Sequence, residues 1–285
     1  MWNQAKKLPY LLIAPSAAFL MIFFLYPFAS VITQAFEHSS TDGYSLTNFQ
    51  EVFSHWKFSI SLENTLLLTA AVVPIQLALA LLMATMVNSM RKGRDLILYI
   101  WTIPLGISDL AAGIIWLVIF EQTGFLNSLM LNLGLIERPV ALLTYQNPMM
   151  IFVAIALAEI WRATAIMLVI LVAGIGLIPR EYYEAASVFR ASKWQQFIRI
   201  TLPLLKPSLQ TALILRVILA FEVFAVVAAL GGTLFPVLMG ETYVYQFDLL
   251  NSGAAAAIAL VILGLSIAFT LIVLRILKVP KGVTM

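Results

Sequence analysis

The chain has 285 residues, 62% of them hydrophobic and 11% charged, with a formal net charge of +3. Soluble domains carry roughly a quarter charged residues, so this composition indicates a polytopic membrane protein and gives no support to nucleic-acid binding. The absence of cysteine excludes a disulfide framework, a thiolate metal site and a cysteine nucleophile.

A membrane span needs roughly 20 apolar residues. In chain order, six stretches qualify, near residues 10–34, 64–88, 96–120, 148–177, 207–231 and 252–277. The first lies in an apolar run, 11–36, that outlasts the ~7–15-residue core of a cleaved signal peptide, so it reads as a retained span. Basic residues outside the spans sort to one side. That side holds Lys6 and Lys7, then Arg91, Lys92 and Arg94, then Arg180, Arg190, Lys193, Arg199 and Lys206, then Arg275, Lys278 and Lys281. The other side holds Lys57 and Arg138. The positive-inside rule therefore predicts a multi-pass protein with both termini and the loop at 178–206 in the cytoplasm. The long outside loops carry turn residues at Thr41-Asp42-Gly43 and Asn147-Pro148. Pro74 and Pro104 lie inside spans, as do Gly113, Gly174, Gly176, Gly231 and Gly232. These mark either broken helices beside a cavity or close helix packing through small residues.

The loop between the fourth and fifth spans has its own pattern. Pro179 suits a first helical turn, and Glu181 and Glu184 favour the positive end of the helix dipole. Tyr182, Ala185, Ala186 and Phe189 recur at helical spacing. Ser192 with Gln195 fits a capping box, which predicts a second helix with Trp194, Phe197 and Ile198 as its apolar stripe. Pro203 and Pro207 bound the entry to span five. The expectation is an amphipathic hairpin bent near 190–192, either lying on anionic lipid or gripping another subunit.

Five ionisable residues fall within the expected spans: Asp109, Glu159, Arg162, Arg216 and Glu222. Charges at mid-membrane cost a few kcal/mol each, so they should face one another, a cavity or a partner. Glu159 and Arg162 are spaced to pair on one helix, whereas Arg216 and Glu222 point in different directions. Mutual neutralisation within the bundle and a polar substrate site both fit. Trp161, Phe221 and Phe224 offer aromatic faces near these charges in the sequence.

The loop resembles the EAA segment of bacterial binding-protein-dependent ABC importer permeases. That family's pattern runs Glu-Ala-Ala, two variable residues, Asp-Gly-Ala, then a Phe, then Ile-Thr-Leu-Pro. Glu184, Ala185, Ala186, Ala191, Phe197, Ile200, Thr201, Leu202 and Pro203 fall on it. Phe189 stands where the family has Asp, and Arg190 where it has Gly. Since Gly turns with positive φ at no steric cost, the substitution predicts a displaced bend or a different partner cleft. Leu25-Tyr26-Pro27-Phe28, Asn64-Thr65, Gly124-Phe125-Leu126-Asn127, Ala158 through Arg162, and Ala173-Gly174 through Ile178-Pro179 extend the resemblance, in order, to the maltose/trehalose-type carbohydrate subgroup.

The resemblance implies a single all-α permease domain over residues 1–285, of the type I ABC importer fold, with six transmembrane helices and a cytoplasmic coupling hairpin at 180–203. It implies that Tyr183, Glu184, Ala185, Ala186, Phe189, Arg190, Ala191, Trp194 and Phe197 dock on an ATPase. Carried over by spacing from the hairpin, it assigns substrate binding to Glu159, Arg162, Ala163, Ile166, Arg216, Leu219, Ala220 and Val223, with Glu222 beside them. It further implies a sugar cargo, a second homologous permease, two ATP-binding subunits that hold the ATP and Mg, an extracytoplasmic sugar-binding protein, and a bacterial or archaeal cytoplasmic membrane. No Gly-x-x-x-x-Gly-Lys-[Ser/Thr] run is present, so the chain itself is not expected to hold a nucleotide or other cofactor in that manner. The rivals are a channel or secondary transporter using the buried charges, and a membrane-embedded enzyme. For the enzyme, His38 and His55 lack metal-ligand spacing and no Ser/His/Asp arrangement is evident.

Overall fold

The computed structural model describes residues 2–37, 43–90 and 92–278, with side chains from residue 10 onward. His38, Thr41, Asp42, Arg91 and Lys281, and the side chains of Lys6 and Lys7, lie outside the described residues. The chain divides into two compact units, Met1–Phe58 with Glu241–Val261, and Ser59–Gly240 with Ile262–Met285.

In the first unit, α1 (Tyr10–Phe36) is an apolar helix whose side chains are mostly exposed. Its turns widen at Met21–Leu25, just before Pro27. Proline lacks a backbone N–H and its ring crowds the carbonyl four residues earlier, so a widened turn absorbs it without breaking the helix. A short helix, α2 (Thr47–Ser54), follows. Asn48 holds it in place: its side-chain amide donates to the carbonyls of Gln34, Ala35 and Glu37 at 3.2, 3.1 and 3.0 Å. Only glycine fits opposite, because a Cβ on Gly253 would lie 2.6 Å from the Asn48 Nδ2.

The second unit carries the candidate sites. α3 (Trp56–Ser89) runs unbroken through Pro74, contrary to the expected interruption. The third span does break. α4 (Arg94–Thr102) passes into a tight turn at Ile103–Gly106, Ile107 is extended, and α5 (Asp109–Phe120) starts afresh. The Ser108 side chain caps α5 by accepting from the Ala111 N–H, and Asp109 sits in the first turn, where the helix dipole favours a carboxylate. α6 (Phe125–Asn132) completes a membrane-length stretch with α5. α7 (Pro148–Gly176) is the most enclosed of the long helices.

The hairpin consists of α8 (Arg180–Val188) and α9 (Lys193–Leu204), and α9 meets α10 (Lys206–Phe221) at 68°. The fifth span is therefore not continuous over 207–231. Its helix ends at Phe221, Glu222 is its C-cap, and α11 (Ala225–Leu230) is separate. α12 (Leu238–Tyr243) precedes α13 (Ser252–Ile276). Among the described residues, five helices are long and apolar enough to cross a membrane, and a sixth is reached only if α10 is counted together with α9 as one bent span.

α7 organises two apolar clusters. Its N-terminal half packs Ile151, Ala154, Ile155 and Ala158 against Leu68 and Val72 of α3 and Val226, Val227 and Leu230 of α11. Its C-terminal half packs Met167, Leu168, Leu171 and Ile175 against Ala80 and Ala84 of α3 and Leu209 and Ala212 of α10. Lipid gives helices no hydrophobic reason to associate, so close approach through small residues matters. Gly174 abuts Ser208, and a Cβ on Gly113 would lie 2.7 Å from the Ala229 Cβ. These two glycines mark packing, not helix breaks.

Candidate functional sites

Between the two clusters, α7 carries Glu159 and Arg162. Glu159 is 2% exposed, as is Arg216 of α10, and the Arg216 guanidinium donates to Glu159 Oε2 at 2.7 Å. The same guanidinium donates through Nε to Gln76 Oε1 at 2.6 Å. Gln76 in turn donates to the Glu159 backbone carbonyl at 2.7 Å, joining α3, α7 and α10. Arg162 pairs mainly with Asp109 of α5, at 2.8 Å, and only loosely with Glu159 Oε1, at 3.8 Å. The result is a ladder, Asp109–Arg162–Glu159–Arg216–Gln76, whose two carboxylates and two guanidiniums cancel. It is graded: the side chains of Asp109 and Arg162 are 48% and 13% exposed, while the inner pair is closed off.

This geometry divides the nine residues expected to bind substrate. Glu159, Ala163, Arg216, Ala220 and Val223 are buried and Ile166 half-buried, while Leu219 and Glu222 are exposed. Arg216, Leu219, Ala220 and Val223 were expected on one helix face. That face ends at Phe221, so Val223 leaves the helix and the four do not share a surface. Glu222 is an exposed helix cap and not an intramembrane charge within a helix. The aromatic expectation narrows likewise. Phe221 is fully buried, edge-on to Phe269 at 5.5 Å, whereas Trp161 is 37% exposed and packs edge-on to Trp116 at 6.2 Å. Within the ladder the accessible polar surface is thus Asp109 and, in part, Arg162, whose chain neighbour Trp161 is also partly exposed. Two atoms along the ladder, Glu159 Oε1 and Arg162 Nε, are buried without a hydrogen-bond partner. Both atoms lie in the closed part of the ladder, where a buried water would satisfy them.

Gln76 was missed from the sequence. The available signal was an isolated amide in an otherwise apolar helix, which needs a partner in lipid.

The hairpin forms as the sequence predicts, with one change. Ser192 accepts from the Gln195 N–H at 3.2 Å and the Gln195 side chain accepts from the Ser192 N–H at 2.8 Å, completing the capping box. The bend does not shift away from position 190. Arg190 itself adopts φ 54°, the left-handed region that favours glycine. The Arg190 N–H donates to the Ser187 carbonyl and the Ala191 N–H to the Ala186 carbonyl, each at 2.9 Å. This is the paired bonding that ends a helix on a left-handed residue, so two backbone bonds offset the steric cost to Arg190. Gln196, not singled out from the sequence, ties the two helices together by donating to Ala191 O at 3.1 Å and Ser187 Oγ at 3.3 Å. Tyr183 hydrogen-bonds Thr201 across the hairpin at 3.0 Å. Tyr183 is thus partly occupied within the hairpin.

The remaining side chains face outward. Phe189 is 86% exposed and Trp194 68%, with Trp194 stacked on Phe197 at 5.7 Å. Glu184, Ala185 and Arg190 are exposed; Ala186, Ala191 and Phe197 are half-buried. A cavity of about 500 Å³ lies at the hairpin root, lined by Asn88 and Ser89 of α3, Ile175 of α7, and Tyr183, Lys193 and Gln196. Exposed aromatics on a rigid, capped hairpin form a surface suited to a complementary cleft.

Residues 76–278 match the family described as "Binding-protein-dependent transport system inner membrane component". The chain is 34% identical over 287 residues to the sulfoquinovosyl glycerol transport system permease protein SmoG of Agrobacterium fabrum, covering 96% of this chain and 91% of the relative. It is 30% identical over 285 residues to the trehalose/maltose transport system permease protein MalF of Thermococcus litoralis, covering 96% and 94% respectively. Its fold matches that of a chain in a bacterial alginate ABC transporter crystallised with a pentasaccharide-bound periplasmic protein, with a TM-score of 0.79 at 22% identity over 98% of both chains. The chain belongs to the binding-protein-dependent transport system inner membrane components, the permease subunits of ABC importers.

Proposed function

We propose that this permease moves an uncharged sugar, of disaccharide or short oligosaccharide size, by alternating access, and that the cargo meets Asp109, Arg162 and Trp161. The observation that carries this reading is the half-open Asp109–Arg162 pair at 2.8 Å, with the partly exposed Trp161 next to Arg162 in the chain. A carboxylate and a guanidinium hydrogen-bond hydroxyls well, and an aromatic face packs on the apolar side of a sugar ring. The ladder behind them has no net charge. It therefore supplies hydrogen bonds without a field that selects an anion, and this favours cargo like that named for the trehalose/maltose relative over the sulfonated cargo of the sulfoquinovosyl glycerol relative. Glu159 and Arg216 act as positioning residues that hold Arg162 in register.

On this reading ATP and Mg bind two partner ATPases and not this chain, and the exposed Phe189 and Trp194 enter a cleft on one of them. ATPase closure draws the hairpin, and the rearranged bundle opens toward a sugar-loaded binding protein. A second, homologous permease completes the pathway. Both termini and the hairpin lie in the cytoplasm, as the distribution of Lys and Arg supports. The test is uptake by the reconstituted complex across a panel of neutral and acidic sugars. Neutral sugars should be carried and should compete with one another. Transport of acidic sugars alone would overturn the cargo class, and solute flux through the purified chain without ATPases would overturn the importer reading.

A further inference from the structure

Two neighbouring depressions on α4 share no lining residue with the charge ladder, and of the hairpin only Arg180 lines one of them. The first, about 640 Å³, is mainly polar and is lined by Asn88 and Ser89 at the end of α3, Arg94 and Asp95 at the start of α4, and Arg180 at the start of α8. Among the described residues neither Arg94 nor Arg180 forms an ion pair. The second, about 630 Å³, shares Asp95 and continues along Leu98, Tyr99, Thr102 and Leu105, with Val169 of α7 as its far wall. Asp95, Leu98, Tyr99 and Thr102 are spaced at i, i+3, i+4 and i+7, so they form one stripe on the helix. The Thr102 hydroxyl donates back to the carbonyls of Leu98 and Tyr99, at 2.9 and 3.0 Å, which satisfies it within the helix. The groove is therefore apolar below Asp95.

We propose that these two depressions form one site for an anionic phospholipid, with its phosphate between Arg94 and Arg180 and an acyl chain along α4. Three features fit this occupant together. The basic side chains stand at the start of α4, at the edge of the stretch 96–120 expected from the sequence to span, where a headgroup lies. From Asp95 to Thr102 the stripe covers about 10 Å at the rise of an α-helix and the tight turn to Gly106 adds about 8 Å, comparable with the half-thickness of about 15 Å of the hydrocarbon core. Asp95 opposes a bare phosphate but accepts from a headgroup hydroxyl, so a hydroxyl-bearing lipid such as phosphatidylglycerol fits better than inorganic phosphate. The assignment holds for whichever leaflet Arg94 faces. Because Arg180 opens α8, a bound headgroup ties the end of α3 and the start of α4 to the root of the hairpin.

Native mass spectrometry of the assembled transporter, purified with its partner subunits, tests this. With two basic groups and one acidic group in the site, phosphatidylglycerol should be retained about fivefold more than phosphatidylcholine. Arg94→Gln/Arg180→Gln should remove that preference. Thr102→Trp, which fills the groove and leaves the arginines intact, should reduce retention of both lipids. Millimolar inorganic phosphate should not displace the lipid. Unchanged preference in the double variant overturns the headgroup assignment. Displacement by phosphate shows a free-anion site instead, and unchanged retention in Thr102→Trp, as expected if a protein segment covers the groove, overturns the acyl-chain assignment.

Discussion

Arg216 and Arg190 are the same residue type in opposite settings. Arg216 is 2% exposed, bonded to Glu159 and Gln76, and joins three helices. Arg190 is exposed, holds φ 54°, and is fixed by backbone bonds around it and not by its guanidinium. The ladder thus turns most of its polar side chains inward on the fold, and on the proposed reading Asp109 and Arg162 are the ones left for cargo. The hairpin is held by backbone bonds and by Tyr183, Ser192, Gln195 and Gln196, and it leaves Phe189, Arg190 and Trp194 exposed, on the proposed reading for a partner. The difference separates residues whose loss damages assembly from those whose loss damages transport or coupling.

The largest expected effect is at Arg216. Arg216→Ala strands a buried carboxylate and should cost about 3–5 kcal/mol, seen as lost assembly or a lowered unfolding temperature. The double variant Glu159→Leu/Arg216→Met, which removes both charges, should recover most of the assembly. If Arg216→Ala assembles as the wild type does, the inner pair is not structural.

Trp194→Ala should come next. Truncating a central exposed aromatic in a docking surface typically costs about 2 kcal/mol of binding or more, so ATPase retention in pull-downs should fall about 30-fold or more. The permease itself should fold unchanged. Full ATPase retention would remove Trp194 from the interface.

Arg190→Gly separates charge from backbone. Glycine accepts the left-handed conformation without strain, so the hairpin keeps its bend and only the guanidinium is lost. An exposed pair with an acidic group on the partner is worth up to about 1 kcal/mol, so ATPase affinity should fall up to about fivefold and recover in high salt comparisons with the wild type. Unchanged affinity at low salt would show that Arg190 has no charged partner.

The smallest effect concerns Glu241, a buried carboxyl outside the spans with no ion pair among the described residues. Burial pushes its pKa upward, partly opposed by Lys57 and His55. The folded state therefore holds this proton more tightly than the unfolded state. Its contribution to stability is full below the ordinary value of 4.5 and is lost as pH rises through the higher folded value. Glu241→Gln should flatten the slope of stability against pH just above that point, and an unchanged slope would assign the dependence to other groups.

Much of the hairpin was legible because its determinants are local. Ser192 and Gln195 are three residues apart, and the capping box forms between them. The bend falls within the expected 190–192, at Arg190; the alternative of a displaced bend fails because the compensating bonds from Arg190 and Ala191 to the preceding turn appear only once the helix has ended there. The ladder was legible only in part. The local Glu159–Arg162 spacing was read and is present, but at 3.8 Å it is the weakest rung. The strong rungs to Asp109, Arg216 and Gln76 join different helices, and one sequence carries no record of which helix faces lie together. The fifth span was drawn too long because apolar residues continue past Phe221 while the helix does not.

The division between ladder and hairpin is tested most directly by Arg162→Gln in the reconstituted complex, with ATP hydrolysis and sugar uptake measured on the same vesicles. Arg162 is predicted to serve cargo and not coupling. ATPase retention and ATP hydrolysis should stay near wild type while uptake of neutral sugars falls about tenfold or more, on the scale of a lost charged hydrogen bond. Uptake that keeps pace with hydrolysis at wild-type levels would contradict the account.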